Sequence, residues 1–430
     1  MRIITSQSFE SDIFPSLLSR GKDDLQEVIP IVKEIIEAVR EEGDIAVLNY
    51  TQKFDNANLT INKIRVNEAE MKEAYKALSI DQIKALKFAA KNIEHFHKKQ
   101  LKKTWKTKTT KGVTIGQIQK PLERIGIYAP GGNAVYPSTI LMCAIPAKIA
   151  GVKEIVVCSP VKENGTLSPA ILVAADIAGV DVLFKVGGAQ AIAAMAYGTE
   201  SIPKVNKIIG PGNKYVTTAK IIVNEEVAID LPAGPSEILI IADETSDPQY
   251  LAADLLAQAE HDVDAWSILL ITSENLAEEV KIAIKNQMQT MARRKEINQS
   301  LENRGLIVIV EDIDEAIRFS NTLAPEHLSI QTKNPQAIVK KIQNAGAIFL
   351  NRYTPVAFGD YTAGSNHVLP TAGFAKSFSG LTTADFFKSI SVVQCSYQGF
   401  ERLQAATITL AKMEGLESHA QSVERRRKNK

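Results

Sequence analysis

The feature that most restricts what this chain can become is a set of short β-branched segments, each closed by glycine or proline. "EIVVCSP", "DVLFKVGG" and "KVNKIIGPG" are such segments, and the small-residue stretches "SPAILVAADIAG" and "AQAIAAMAYGT" lie between them. Strand, turn and helix in that order, repeated, predict a parallel sheet with helices packed on its faces. The alternation restarts after "GPSEILIIAD". A helix over 248–261, the strand "WSILLITS", a long helix, the strand "LIVIV", a helix over 312–323 and the strand "GAIFLN" follow. Two α/β lobes are therefore expected. Upstream, "LQEVIPIVKEIIEAVREEG" and "EMKEAYKALSIDQIKALKFAAKNI" place apolar residues three and four apart, which predicts helices between about 20 and 100. The last 48 or so residues, rich in helix formers, read as an appendage.

A length of 430 residues suits two or three domains with a substantial core. The formal net charge is +1 with both signs abundant, so nothing calls for a nucleic-acid partner. The basic runs "HKKQLKKTWKTKTTK" and "RRRKNK" read as a solvated face and a tail. The first twenty residues carry charges where a signal peptide needs an apolar core, and no apolar run approaches the ~18 residues of a membrane span. Cys143, Cys158 and Cys395 are far apart and odd in number. That argues against a disulfide framework and for a reducing, cytoplasmic setting. They are expected to be small buried apolar residues; the rival role is acylation at Cys158, where a strand meets a loop.

Glycine-rich turns after strands let phosphates approach bare backbone and helix N-termini. The candidates are "YAPGGN" (128–133), "KVGGAQ" (185–190) and "IGPGNKY" (209–215). None matches G-x-G-x-x-G, so a dinucleotide site and ordinary turn duty both stand. In "QAEHD", Gln258 and His261 lie three apart on the expected helix and share a face, while Glu260 points elsewhere. That arrangement suits a hydrogen-bonded helix face or a metal site. In "APEHL", Pro325 is expected to end the preceding helix. Glu326 and His327 then fall on a loop, as a helix cap or as a reactive pair facing a cleft. "FGDYTAGSNHVLPT" (358–371) is a polar loop holding Asp360 and His367, and "EGLESHAQS" holds Glu414 and His419. A scattered set of Gln, His and Asp suits a divalent metal with mixed nitrogen and oxygen ligands.

Taken together, "IYAPGGNAVYPSTILMCAIPAKIAG", "VGGAQAIAAMAYGTESIPKVNKIIGPGNKYV", "AGPSEILIIAD", "LLAQAEHD", "LAPEHL", "GDYTAGSNHVLPT" and "EGLESHAQSV" resemble histidinol dehydrogenase, in that family's order, from about 20 to 425. The resemblance implies a zinc-dependent, NAD-linked enzyme of histidine biosynthesis. Such an enzyme oxidises L-histidinol to L-histidinaldehyde and then to L-histidine with two NAD+. Motif by motif, it implies one zinc ion per subunit on Gln258, His261, Asp360 and His419. It implies His327 as general base, Glu326 as the group activating water, and NAD contacts at Tyr128, Gln190 and Asn213. Ser236, Glu414, His327 and the metal ligands would line the substrate pocket. The implied architecture is two incomplete Rossmann-like lobes with parallel sheets, small helical terminal domains and an intertwined homodimer. Residues 1–20 would be an arm, 21–127 with 238–381 the metal and catalytic lobe, 128–237 the NAD lobe, and 382–430 a helical appendage serving the partner subunit's site.

The chemistry suits these residue types. Alcohol oxidation needs the hydroxyl proton removed as hydride leaves, a task for a neutral histidine. The second step must add water to an aldehyde, which a neighbouring carboxylate can activate. Zinc with amide and carboxylate oxygens among its ligands leaves room for a substrate amine and imidazole. Two rivals use the same residues: a metal-dependent hydrolase without nucleotide, and a non-catalytic binding or assembly protein.

Overall fold

The chain enters as a strand, β1 (Arg2–Thr5), where only an arm is expected. Helices α1 (Ile29–Glu42), α2 (Asp44–Asp55), α3 (Glu68–Ala77) and α4 (Ile80–Lys98) follow. Reciprocal capping boxes, Asn67 with Glu70 and Ser79 with Gln82, decide where α3 and α4 begin. Next come β2 (Trp105–Thr110), β3 (Val113–Pro121), β4 (Arg124–Tyr128), α5 (Pro137–Ala150), β5 (Glu154–Cys158), α6 (Pro169–Ala178), β6 (Val182–Phe184) and α7 (Gly188–Tyr197). The alternation continues through β7 (Lys207–Ile209), α8 (Lys214–Val223), β8 (Ala228–Ile229), β9 (Glu237–Ala242), α9 (Pro248–Ala259), β10 (Trp266–Ile271) and α10 (Glu274–Met288). The chain closes with α11 (Arg294–Arg304), β11 (Gly305–Ile309), α12 (Ile313–Leu323), β12 (His327–Gln331), β13 (Ala347–Leu350), β14 (Phe387–Cys395), α13 (Tyr397–Met413) and α14 (Glu417–Glu424). This computed structural model describes residues 1–18, 20, 23–131, 135–231 and 234–427. Gly132 and Asn133 of the first glycine-rich turn, and the end of the basic tail, lie outside them.

Two units result, Met1–Gln100 with Leu122–Phe386, and Leu101–Pro121 with Phe387–Lys430. The first contains both parallel sheets. One has six strands in the order β1-β11-β10-β9-β12-β13. Its strands β9, β10 and β11 are buried along nearly their whole length and read as near-continuous apolar runs. Ile238, Ile240 and Ala242 of β9 pack among the apolar residues of α9 and α10, while Leu239 and Ile241 pack with Phe319 and with Phe9, Phe14 and Leu17. The rings of Phe9, Phe14 and Phe319 meet at centroid distances of 5.0 to 5.3 Å. The N-terminal segment is thus part of this core.

The second sheet, β6-β5-β4-β7-β8, is also parallel. α1 gives Val32, Ile35, Ile36 and Val39 to one face, while Ala89 and Ile93 of α4 join α5 on the other. Residues 21–127 are expected to belong with 238–381. The helices over 29–98 instead bury their apolar faces around the five-stranded sheet. Helical spacing announces a buried face without saying what covers it.

The second unit is a three-stranded antiparallel sheet, β14-β3-β2, with α13 and α14. All nine residues of β14 pair with β3. The expected helical appendage therefore carries a strand, and it recruits the Lys-rich segment as β2, whose side chains are mostly exposed. Among the described residues no helix is long and apolar enough to cross a membrane.

Candidate active site

α12 stops at Leu323 because Ala324 turns left-handed (φ 50°) and its N–H closes on Ser320 O. Pro325 follows, and its carbonyl and that of Glu326 already accept from Gly346 N and Ala347 N at 2.9 and 2.8 Å. His327 is therefore the first residue of β12, opposite Ile238 of β9 and Ala347 of β13. His327 stands on a central strand and not on the expected loop, whereas Glu326 does lie in the short connection over 324–326; both are 5% exposed. Sheet pairing on both sides of His327 takes over within four residues of the helix end.

One residue of β9 holds both side chains. Glu237 N donates to Glu326 Oε2 at 2.8 Å, and Glu237 O lies 3.2 Å from His327 Nδ1. A carbonyl only accepts, so Nδ1 carries the proton and Nε2 keeps a free lone pair. That Nε2 is buried without a hydrogen-bond partner. Burial pushes the His327 pKa down to about 3, with the Glu237 carbonyl opposing and His261 and His367 adding to the fall. Burial raises Glu326 well above the ordinary carboxyl range, the carboxylates of Glu237 and Asp360 adding to the rise. Asp360 Oδ1 sits 3.7 Å from His327 Nε2. This is too long for a hydrogen bond and, with the imidazole neutral, no ion pair.

Gln258 lies in the last turn of α9, buried, with its amide nitrogen partnerless. His261 is not on the helix but in the turn just beyond it, its N–H on Gln258 O at 3.2 Å. It is half-buried, Glu260 is exposed, and burial lowers the His261 pKa. Asp360 lies in a helical turn, Phe358–Thr362, within the segment expected to be loop; burial alone raises it to about 7. His367 fastens that turn. Its Nδ1 lies 3.1 Å from Asp360 O and its Nε2 3.1 Å from Thr139 Oγ1 of α5. Asn92 of α4 donates to Thr362 O at 2.8 Å, and Asn366 donates to Met142 O at 2.6 Å. The turn carrying Asp360 is thus pinned to helices of the five-stranded half.

The glycine-rich turns gather at the carboxyl ends of the five-stranded sheet, where open parallel sheets bind ligands. Tyr128 ends β4, and its hydroxyl accepts from Gly188 N at 3.2 Å. Gln190, in the first turn of α7, is 1% exposed with neither amide atom partnered. Asn213 caps α8, its Oδ1 accepting from Tyr215 N and Val216 N at 3.1 Å each. Gly210 adopts φ +114°, and a methyl group there would strike the Tyr128 carbonyl oxygen. The buried Lys220–Asp230 pair binds both ends of this peptide, Asp230 accepting from Gly210 N and Lys220 donating to its carbonyl.

Ser236 is half-buried beside Glu237, whereas Glu414 and His419 belong to the second unit and are exposed. Among the described residues no three His, Cys, Asp or Glu side chains form a group able to hold a metal. Cys143 and Cys158 are buried, and burial drives both thiols far up, which suits inert packing; Cys395, expected to be buried, is exposed. Sequence reasoning missed Glu237, Arg20 and Thr139, and assigned nothing to His367. Only the charged residue standing at the head of the apolar run "EILIIA" offered a signal, for Glu237.

Fold and cluster define a class: an α/β enzyme with two parallel sheets, one presenting glycine-rich turns, the other a buried histidine–carboxylate centre fit for proton transfer. The model of the family Histidinol dehydrogenase matches residues 18–427. The chain is 50% identical over 410 residues to the histidinol dehydrogenase of Methanothermobacter thermautotrophicus, covering 95% of this chain and 96% of that one. It is 46% identical to that of Geobacter sulfurreducens, covering 98% of each. The crystal structure of histidinol dehydrogenase from Elizabethkingia anophelis superposes with a TM-score of 0.92 at 41% identity, over 98% of this chain and 96% of that one. The chain belongs to the histidinol dehydrogenase family. Membership in a family of dehydrogenases displaces the hydrolase and the binding-protein readings.

Proposed function

We propose that this protein oxidises L-histidinol through L-histidinaldehyde to L-histidine with two NAD+, closing L-histidine biosynthesis in the cytoplasm as a zinc-dependent homodimer. The observation that carries this reading is the free Nε2 of His327, a neutral imidazole in a protein half identical to a histidinol dehydrogenase.

His327 Nε2 takes the hydroxyl proton as hydride leaves, and the Glu237 carbonyl on Nδ1–H fixes the tautomer and steadies the imidazolium. Glu326 then activates the water that adds to the aldehyde. Burial raises its pKa, and the ammonium of a bound substrate would oppose that rise. Ser236 and, from a second copy of the chain, Glu414 complete the substrate pocket. Tyr128, Gln190 and Asn213 hold NAD+. Residues 128–237 then serve the nucleotide, 238–381 the base and metal, and 382–430 the partner's site.

Zinc would rest on Gln258, His261, Asp360 and the second copy's His419. The donors suit it: Asp360 is a buried carboxyl raised by burial alone, and the Gln258 amide lacks a partner. Turning that amide over puts its oxygen toward a cation. When bound, zinc supplies a Lewis-acid anchor for the substrate's amine and imidazole.

The test is NADH formation from histidinol with and without chelator. Two NADH per histidinol are expected, with turnover lost on chelation in a still-folded protein and restored by Zn2+. No NADH from the metal-loaded protein overturns the function. Full activity in a metal-free preparation overturns the zinc requirement.

A further inference from the structure

We propose that Arg20 and Glu237 are a positioning pair for the reaction above, holding the two segments that meet at Glu326 and His327; the inference rests on that reading of the site. Arg20 lies in none of the motifs quoted above, and Glu237, inside "AGPSEILIIAD" next to Ser236, carries no expected role. Both are buried, at 8% and 4% exposure.

The case begins with Glu237. Its main chain holds the Glu326 carboxyl through N–H and the His327 ring through C=O. Its side chain holds the same segment a second way, Oε1 accepting from Glu326 N at 3.3 Å. Glu326 and Glu237 thus exchange carboxyl-to-amide contacts, so a shift of residue 237 displaces both reacting groups together. Arg20 decides where the Glu237 carboxyl sits. Its guanidinium donates from Nε to Oε2 at 2.5 Å and from one terminal nitrogen to Oε1 at 2.9 Å. That same nitrogen donates to Leu323 O at 3.0 Å, and the other terminal nitrogen to Leu17 O at 2.7 Å. One planar fork therefore spans the head of β9, the end of α12 and the N-terminal segment. The segment from Leu323 to His327 is short, and both its ends are tied, one to Arg20 and one to β9.

The charge arithmetic points the same way. Glu237 lies close enough to Glu326 to raise its pKa. The Arg20 guanidinium pairs with this second buried carboxylate beside the acid–base pair. Lysine brings the charge but not the planar fork, and its three donors cannot reproduce the four contacts to both Glu237 oxygens, Leu323 O and Leu17 O.

The experiment uses the full-length, zinc-loaded protein and three variants, Arg20→Lys, Glu237→Gln and Arg20→Ala. Thermal midpoint, KM for histidinol and kcat for NAD+ reduction are measured well below each midpoint. Arg20→Lys is expected to lower kcat at least ten-fold with KM changed less than three-fold. Glu237→Gln keeps an acceptor for Glu326 N and should lose less than Arg20→Ala. Guanidinium ion at millimolar concentration should restore part of kcat to Arg20→Ala and none to Arg20→Lys, whose side chain fills the space. A kcat within two-fold of the unaltered protein, whatever the midpoint, reduces the pair to structural support and overturns the proposal. So does loss of fold in all three variants. An unaltered protein that fails to reduce NAD+ with histidinol overturns the parent function, and this proposal with it.

Discussion

His327 and Glu326 are neighbours in sequence whose pKa values the same burial drives in opposite directions, the imidazole down to about 3 and the carboxyl well up. Such a split is how adjacent groups acquire different tasks. His327→Gln should lower kcat for histidinol by about a hundred-fold or more, since it removes the acceptor for the hydroxyl proton. Glu326→Gln should slow oxidation of supplied histidinaldehyde more than the first hydride transfer, because only the later step consumes water. Single-turnover measurement of the two half-reactions distinguishes them. Equal slowing of both steps by both substitutions would show that the pair acts as one unit.

Elements align these groups through the spacing of their side chains. On β12 the polar His327, Ser329 and Gln331 alternate with apolar Leu328 and Ile330, and Gln331 Nε2 donates to Asp254 Oδ2 of α9 at 2.7 Å. Asp254 and Gln258 stand one turn apart on that helix, so a polar file runs inward from the site. Burial raises the Asp254 carboxyl to about 6, Gln331 opposing. The folded protein therefore keeps a proton that the unfolded chain has released between about pH 4 and 6. The stability tied to it is complete below the unfolded pKa and lost as pH rises through the folded one. Asp254→Asn should raise the thermal midpoint at pH 7.5, with a gain in stability of at most about 3 kcal/mol, and do much less at pH 4.5. A difference independent of pH would refute this assignment. At the other sheet, Gly210→Ala forces a methyl toward the Tyr128 carbonyl at a φ that side chains avoid. A lower midpoint and a raised KM for NAD+ are expected, with KM for histidinol spared; an unchanged KM for NAD+ would separate this turn from nucleotide binding.

For the molecule as a whole, the proposed function asks one chain to supply Gln258, His261 and Asp360 and another to supply Glu414 and His419. Exchange of an element across a two-fold axis makes each site a composite of both chains. His261→Asn and His419→Asn, each inactive alone, should then rescue one another when unfolded and refolded together. Mixed dimers carry one doubly damaged site and one intact site. Random reassociation makes about half the dimers mixed, so roughly a quarter of all sites should recover. No gain despite confirmed mixed dimers would assign His419 to its own subunit.

Sequence by itself determined the parallel α/β class, because most strands covered on both faces are near-continuous apolar runs and alternate with helices. It also held the motifs of the family, and it singled out Gln258, His261, Glu326, His327 and Asp360 as candidates for chemistry. These are short-range signals, carried by spacing and residue type within a few turns of chain. Only the tertiary structure decided that Arg2–Thr5 is an edge strand, that α1 to α4 cover the five-stranded sheet, and that His327 opens a strand. It alone joined Arg20 to Glu237 across 217 positions and Thr139 to His367 across 228. Periodicity states that a face is apolar and composition that a charge exists. Neither names the partner, because any apolar surface can cover a face and any opposite charge can neutralise a carboxylate. The partner is settled when all the buried faces and charges must be satisfied in one packing.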